Sequence, residues 1–294
     1  MLEGGTSTLL PHPPTASAMS RPGEPVPRYG VPLPEASGIV RVVAPNPGPM
    51  TQHGTNTWIV AYPGGATVID PGPDDAGHVA AVLAAAGPVG RVLLTHAHAD
   101  HYGAAAALRA ASGAPVIAHP GFAAATLRPD RSVGEGDAVA GLRVLHTPGH
   151  AADHLCFARE DGVLFTGDHV MGWASTAIAP PDGDMAAYLR SLARLGERAD
   201  RVFLSGHGAA MHDPAARVAT LLRHRLVREA GLVAALRRGP AALEALVASE
   251  YPVLETGLAR AAGATLLAHL RKLRDDGVAE EAGRLWRLRS GAAG

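Results

Sequence analysis

An α/β sandwich of layered sheets is the fold class that the sequence predicts, and three observations carry it. Short β-branched runs recur between Gly and Pro breaks, Ala-rich helical segments alternate with them, and the order passes from hairpins to β-α units. The size agrees. A chain of 294 residues suits one large domain or one domain with a small appendage, and 47% hydrophobic against 18% charged residues supplies a core and excludes wholesale disorder.

The elements follow in order. Residues 1–34 hold prolines at positions 11, 13, 14, 22, 25, 27, 32 and 34, which remove backbone donors, so a flexible Pro-rich extension is expected. Met1 and Met19 are both candidate starts. Gly38–Ala44, Thr57–Tyr62 and Ala66–Asp70 read as strands, with Pro63-Gly64-Gly65 as a hairpin turn. Asp75–Ala86 reads as a helix stopped by Gly87-Pro88, Val92–Thr95 as a short buried strand, and about Gly103–Ala111 as an Ala-rich helix. Val116–Ala118, Leu142–His146, Leu155–Ala158, Val163–Thr166 and Val202–Leu204 are strands, and Met185–Leu195 is a helix. Residues 35–212 thus form the expected catalytic domain.

From residue 213 the texture changes to long helical periodicity. Asp213-Pro214 reads as an N-cap with proline in the first turn of a helix reaching about Arg238. Helices are expected over Ala241–Ser249 and about Leu258–Asp275, and Gly277–Leu288 flanks a turn as a β-wing would. Residues 213–294 are therefore expected to form a small helical and winged-helix-like domain.

Composition excludes several classes. A formal charge of −1 leaves the whole molecule with no strong attraction for polyanions, although an enzyme that cuts nucleic acid stays open. From Ala215 onward 13 basic residues face 8 acidic ones, a charge of +5 that leaves −6 on the remainder. No apolar run approaches the ~18–20 residues of a spanning helix. No basic segment leads into an apolar one near the start, so no membrane partner and a cytoplasmic location are expected. The single cysteine, Cys156, excludes an internal disulfide framework and a cysteine-based zinc cluster, and its place in an apolar strand reads as buried.

The chemistry centres on Thr95-His96-Ala97-His98-Ala99-Asp100-His101, where a strand ends and a helix begins. Four ligand-capable side chains within six residues carry the hard or borderline donors that suit zinc. One loop cannot close two coordination spheres, so further ligands are expected at other strand ends. His150 in Thr147-Pro148-Gly149-His150, Asp168 in Phe165-Thr166-Gly167-Asp168 and His207 in Ser205-Gly206-His207-Gly208 are the candidates, each in a Gly-punctuated loop after an apolar strand.

On these residues the chain resembles the metallo-β-lactamase-fold hydrolase superfamily over about Gly38 to Gly208, including the strand end Thr67-Val68-Ile69-Asp70-Pro71-Gly72. The resemblance implies a four-layer αβ/βα sandwich with a dinuclear site along one edge. It implies that His96, His98 and His150 hold one metal, that Asp100, His101 and His207 hold the other, and that Asp168 bridges them. His98 in place of a glutamate favours two zinc ions over a di-iron flavoprotein site. Gly54-Thr55-Asn56-Thr57, Thr166-Gly167-Asp168-His169, Ser175-Thr176, Gly183-Asp184-Met185 and His224-Arg225 with Arg228-Glu229 look like the β-lactamase-like-protein-2 subgroup. Its members add a C-terminal winged-helix-like domain, and some are similar to endoribonucleases acting on single-stranded RNA.

The expected mechanism uses two zinc ions about 3.5–4 Å apart and a bridging hydroxide to cleave a small-molecule ester, thioester, lactone or similar acyl bond. Asp100 would orient the nucleophile. His169 would donate a proton to the leaving group, the alternative being a ring packed behind the site. Asp70 reads equally as a partner for a ligand imidazole or as a turn cap. In the alternative function, cleavage of single-stranded RNA, Arg223, Arg225, Arg228, Arg237 and Arg238 would track phosphates; otherwise they form a solvated helix face. His119, His146 and His154 are expected to be structural, and His53, His78, His212, His224 and His269 surface or interhelical. A homodimer stays open.

Overall fold

The computed structural model describes residues 24–253 and 256–289. The choice between Met1 and Met19, and most of the expected extension, lie outside the described residues.

Strand runs with apolar faces build two sheets. The first half of the chain forms β1 (Leu33–Ala36), β2 (Ile39–Val43), β3 (Asn56–Val60), β4 (Ala66–Ile69), α1 (Ala76–Ala86), β5 (Val89–Leu93), α2 (Ala99–Tyr102), α3 (Ala105–Ser112), β6 (Val116–Ala118) and β7 (Arg131–Ser132). These strands make a seven-stranded sheet in sequence order, antiparallel from β1 to β4 and parallel from β4 to β7. β8 (Ala138–Val139), β9 (Leu142–His146), β10 (Leu155–Arg159), β11 (Val163–Gly167), α4 (Met185–Gly196) and β12 (Val202–Ser205) follow. Their sheet runs β12-β11-β10-β9-β8, with β11 and β12 parallel.

Three apolar layers make this a four-layer α/β/β/α sandwich. Ile39, Trp58, Ile69, Leu93, Phe157, Phe165 and Leu204 fill the space between the sheets. Val68, Val92 and Ile59 pack against Val82 of α1 and Leu108 of α3. Cys156, Leu164 and Phe203 pack against Tyr188 and Leu192 of α4. Cys156 is buried as expected, and burial pushes its thiol up to about 12.

Local signals set the boundaries. The Asp75 carboxylate accepts from the His78 amide at the start of α1, and Gly87 ends the helix at a positive φ of +63°. The helix expected over about Gly103–Ala111 is α3, starting at Ala105, with a separate short helix, α2, before it and Gly103 at the junction. A Cβ there would lie 2.6 Å from the Asp74 nitrogen, so the loop after β4 approaches too closely for any other residue. Leu33 and Pro34, inside the expected extension, already belong to β1.

The C-terminal part comprises α5 (Pro214–Arg237), β13 (Ala241–Ala242), α6 (Leu243–Glu250), α7 (Thr256–Asp275), β14 (Ala279–Ala282) and β15 (Leu285–Leu288). Its strands form a three-stranded sheet, β13-β15-β14, around an apolar cluster of its own that includes Leu232, Leu246, Leu270 and Trp286. The helix expected from Ala241 starts only at Leu243, because Ala241 and Ala242 pair with Trp286 and Leu285. His78 is also corrected. It is 1% exposed and its Nε2 lies 2.9 Å from Thr57 Oγ1, so it is a core group and not a surface one. Among the described residues no helix is long and apolar enough to cross a membrane.

Candidate metal centre

Parallel pairing decides where the ligands meet. β4 and β5 run together, as do β11 and β12, so the loops after them emerge at one edge of the sandwich. Asp70 follows β4, the histidine cluster follows β5, Asp168 follows β11, and His207 follows β12; His150 sits in the connection from β9 to β10. Residues from five distant stretches of the chain therefore meet.

The structure brings all seven expected ligands together, in two groups. His96, His98, His150 and Asp168 form one, and Asp100, His101 and His207 the other. In the first, His98 Nδ1 lies 2.8 Å from His96 Nε2 and 3.1 Å from His150 Nε2. In the second, Asp100 Oδ2 lies 3.5 Å from His101 Nε2 and 3.4 Å from His207 Nε2. Asp168 spans both: its Oδ1 is 3.4 Å from the His101 and His207 nitrogens, and its Oδ2 is 3.8 Å from His150 Nε2.

Hydrogen bonds on the far side of the His96, His150 and His207 rings fix which nitrogen faces the site. His150 Nδ1 donates to the Ala177 carbonyl at 2.7 Å, and His207 Nδ1 faces the Gly54 carbonyl at 3.3 Å. Thr95 Oγ1 donates to Asp70 Oδ2 at 2.7 Å, so His96 Nδ1 is the donor in its 2.9 Å contact with that hydroxyl. The Nε2 lone pairs of His96 and His150 consequently converge, with at most one proton, on His98 Nδ1, between them. His101 Nε2 and Asp168 Oδ1 are buried and without a hydrogen-bond partner. Converging lone pairs and buried polar atoms without partners are what a cation site presents, so the residues fit metal ions.

Electrostatics divide the site the same way. Burial, then the neighbouring His101, His98 and His150 rings, hold His96 well below its ordinary value. Burial and His150 bring His98 down to about 4. Both imidazoles are thus neutral, the form that ligates. Burial opposes charge on His207 too, but the Asp168 and Asp100 carboxylates outweigh it and raise its pKa to about 9. His101 is raised for the same reason, by Asp168, Asp100 and Asp70.

Of the two readings of Asp70, the structure shows the imidazole partner. Its carboxylate accepts from the Thr95 amide and hydroxyl and from His101 Nδ1 at 2.9 Å. It does so from a left-handed backbone, φ +50°, held between β4 and the loop 71–75. His154, expected to be structural, backs the site directly: its Nε2 accepts from the Asp168 amide at 3.2 Å and its Nδ1 faces Thr147 Oγ1.

His169, expected either as a proton donor or as a ring packed behind the site, lies against α4. Its ring is fully buried, 4.7 Å from the Tyr188 ring, with neither nitrogen hydrogen-bonded. Burial, with His150 next, lowers its pKa to about 3. The ring also neighbours His154, 5.7 Å away between centres. Arg225 and Arg228, expected either to track phosphates or to lie on a solvated helix face, are buried, which corrects both readings. Arg225 donates to the Thr176 carbonyl and stacks over Tyr188, while Arg228 pairs with Glu250 at 2.7 Å. Residues 171–178 were the part that sequence reasoning missed. Thr176 Oγ1 donates to the Asp168 carbonyl, and Ala177 orients His150. The Ser175-Thr176 motif was the one signal pointing there.

A two-sheet sandwich with adjoining imidazole and carboxylate groups at one edge is the architecture of a metal-capable hydrolase. Residues 50–207 match the family model of the metallo-beta-lactamase superfamily, and the chain belongs to that superfamily of hydrolases. Relatives include an atrochrysone carboxyl ACP thioesterase from Aspergillus chevalieri, 33% identical over 70% of this chain and 69% of the relative. Lactamase-like protein adaB from Aspergillus niger is 30% identical over 83% of this chain and 74% of its own length. Among solved structures, metallo-beta-lactamase family protein TTHA1429 from Thermus thermophilus is 27% identical, with a TM-score of 0.73 over 86% of this chain and 99% of that one. A di-iron-bound form of TTHA1623 is 30% identical, with a TM-score of 0.52 over 60% and 97%.

Proposed function

We propose that the chain is a dinuclear zinc hydrolase of acyl thioesters. The observation that carries the reading is Asp168, whose two carboxylate oxygens face separate ligand groups and so join them into one centre. His96, His98 and His150 would hold one zinc ion, Asp100, His101 and His207 the other, with Asp168 shared. Bound there, the pair supplies Lewis acidity and activates water at neutral pH.

The chain's own residues do the rest. Asp100, with 31% of its side chain exposed against 11% for Asp168, is the carboxylate that faces solvent and orients the attacking water. Thr55 Oγ1, 3.4 Å from Asp100 Oδ2, steadies it. Two points favour a thioester among acyl bonds. A thiol of pKa ~8.5 leaves as thiolate without a proton donor, and the histidine expected to supply that proton is buried. The thioesterase relative points the same way. Cleavage of RNA must expel an alkoxide and needs such a donor; it also loses Arg225 and Arg228 as cations, since both are internal.

Metal analysis and a substrate panel test the reading. We expect close to two zinc per chain, Asp168→Ala to retain at most one, and chelator-sensitive release of free thiol from acyl thioesters. Metal-independent cleavage, or salt-sensitive cleavage of single-stranded RNA in its place, refutes the assignment.

A further inference from the structure

The segment behind the ligands is held by the C-terminal helices. Arg217 of α5 donates to the Met171 carbonyl at 2.7 Å and to the Ala174 carbonyl at 2.6 Å. Arg225, further along the same helix, donates to the Thr176 carbonyl. Thr265 of α7 accepts from the Ile178 amide at 3.1 Å. The stretch pinned in this way, 171–178, contains both groups that fix ligands from behind: Thr176 Oγ1 on the Asp168 carbonyl and the Ala177 carbonyl on His150 Nδ1.

Arg225 is an unusual choice for a merely structural anchor. It is 2% exposed, and no carboxylate pairs with it among the described residues. Its guanidinium instead lies 5.2 Å from the centre of the Tyr188 ring and reaches a single carbonyl. Burying a cation on such partners costs stability that an apolar side chain would not forfeit. The planar fork does something that an apolar residue cannot: it sets the position of the peptide just before the one that orients His150.

We propose that Arg225 is a positioning residue of the metal centre, acting through Thr176 and Ala177 on His150 and Asp168, so that the C-terminal helices form part of the frame of the metal site. The proposal rests on the metal-centre reading above. A partner that orients a ligand imidazole changes metal affinity by about 10–100-fold when removed.

The test uses the full chain with Co2+ as the probe metal. Affinity is measured by competition with a chromophoric chelator, and the visible d–d bands report the geometry of the bound ion. Arg225→Met should weaken Co2+ binding about 10-fold and change the bands, while Arg225→Lys, which keeps one donor, should recover part of the loss. Leu226→Ala, an exposed neighbour on α5, should stay within about twofold of the parent. Thr265→Val, which removes the acceptor of the Ile178 amide, should weaken binding in the same direction and serves if Arg225→Met does not fold. Parent-like affinity and bands in the folded Arg225→Met, or in Thr265→Val if that variant must stand in, overturn the proposal. If the parent chain itself takes up no Co2+, the metal-centre reading fails, and this separates the two failures.

Discussion

Asp70 shows how much one side chain can decide. Its carboxylate accepts three hydrogen bonds from Thr95 and His101, and thereby orients one imidazole in each ligand group: His101 directly and His96 through the Thr95 hydroxyl. The paired groups behind it predict a pH dependence for the metal-free chain. The folded pKa of His207 is raised to about 9, so its contribution to stability is full below the unfolded value of ~6.5 and is lost as pH rises to about 9. His101, raised in the same way, adds to the loss. We expect chelator-treated protein to lose about 3 kcal/mol or more of stability from these groups across that window in urea melts. Zinc affinity should rise over the same range, because both imidazoles must shed protons to ligate. A metal-free stability that is flat from pH ~6.5 to ~9 would show that the imidazolium–carboxylate pairing is absent.

Two glycine-bearing loops carry ligands where an added methyl group would collide, and they fail in different ways. A Cβ on Gly206, after β12, would lie 2.5 Å from both Asp168 Oδ1 and His101 Cε1. Gly206→Ala should therefore push the Asp168 carboxylate away from His101. A displacement of this kind costs on the order of 100-fold in turnover. The melting temperature should change by only a few degrees, because no backbone contact is lost, and calorimetry beside a thioester assay checks both. Gly149, before His150, is different. Its φ is +141°, and a Cβ would meet the Tyr188 backbone of α4 at 2.3–2.4 Å. There the obstruction is the main chain of a helix, so substitution strains the fold as well as the site.

At the scale of the molecule, α5 belongs to two cores. Its first half supplies Val218 and Leu221 to the layer beneath the second sheet, and its second half supplies Leu232 and Leu236 to the C-terminal cluster. A continuous 24-residue helix shared in this way couples the two parts. Leu221→Ala, at a fully buried position, should cost about 2–5 kcal/mol. Hydrogen exchange should then show β10–β12 and β14–β15 losing protection together. Loss confined to the second sheet would mean that the parts unfold independently. The basic C-terminal part is thereby tied into the hydrolase frame, with Arg217, Arg225 and Arg228 engaged in internal contacts.

Most strands and helices, the N-cap at Asp213, and the seven residues that converge at the candidate site were legible in the sequence because each depends on short-range chemistry: periodicity, capping residues, and ligand-capable side chains next to glycine at strand ends. The same local signals did not reveal that Ala241–Ala242 joins a sheet, since that follows from a distant segment pairing with the backbone. Nor could they separate the roles of polar residues. His169 read as a proton donor or a packed ring and Arg225 as a phosphate contact or part of a solvated face, and packing against Tyr188 buries both. A side chain's chemical type is written in the chain, whereas its access to solvent and the partner behind it depend on which helices cover it. That assignment belongs to the tertiary structure alone.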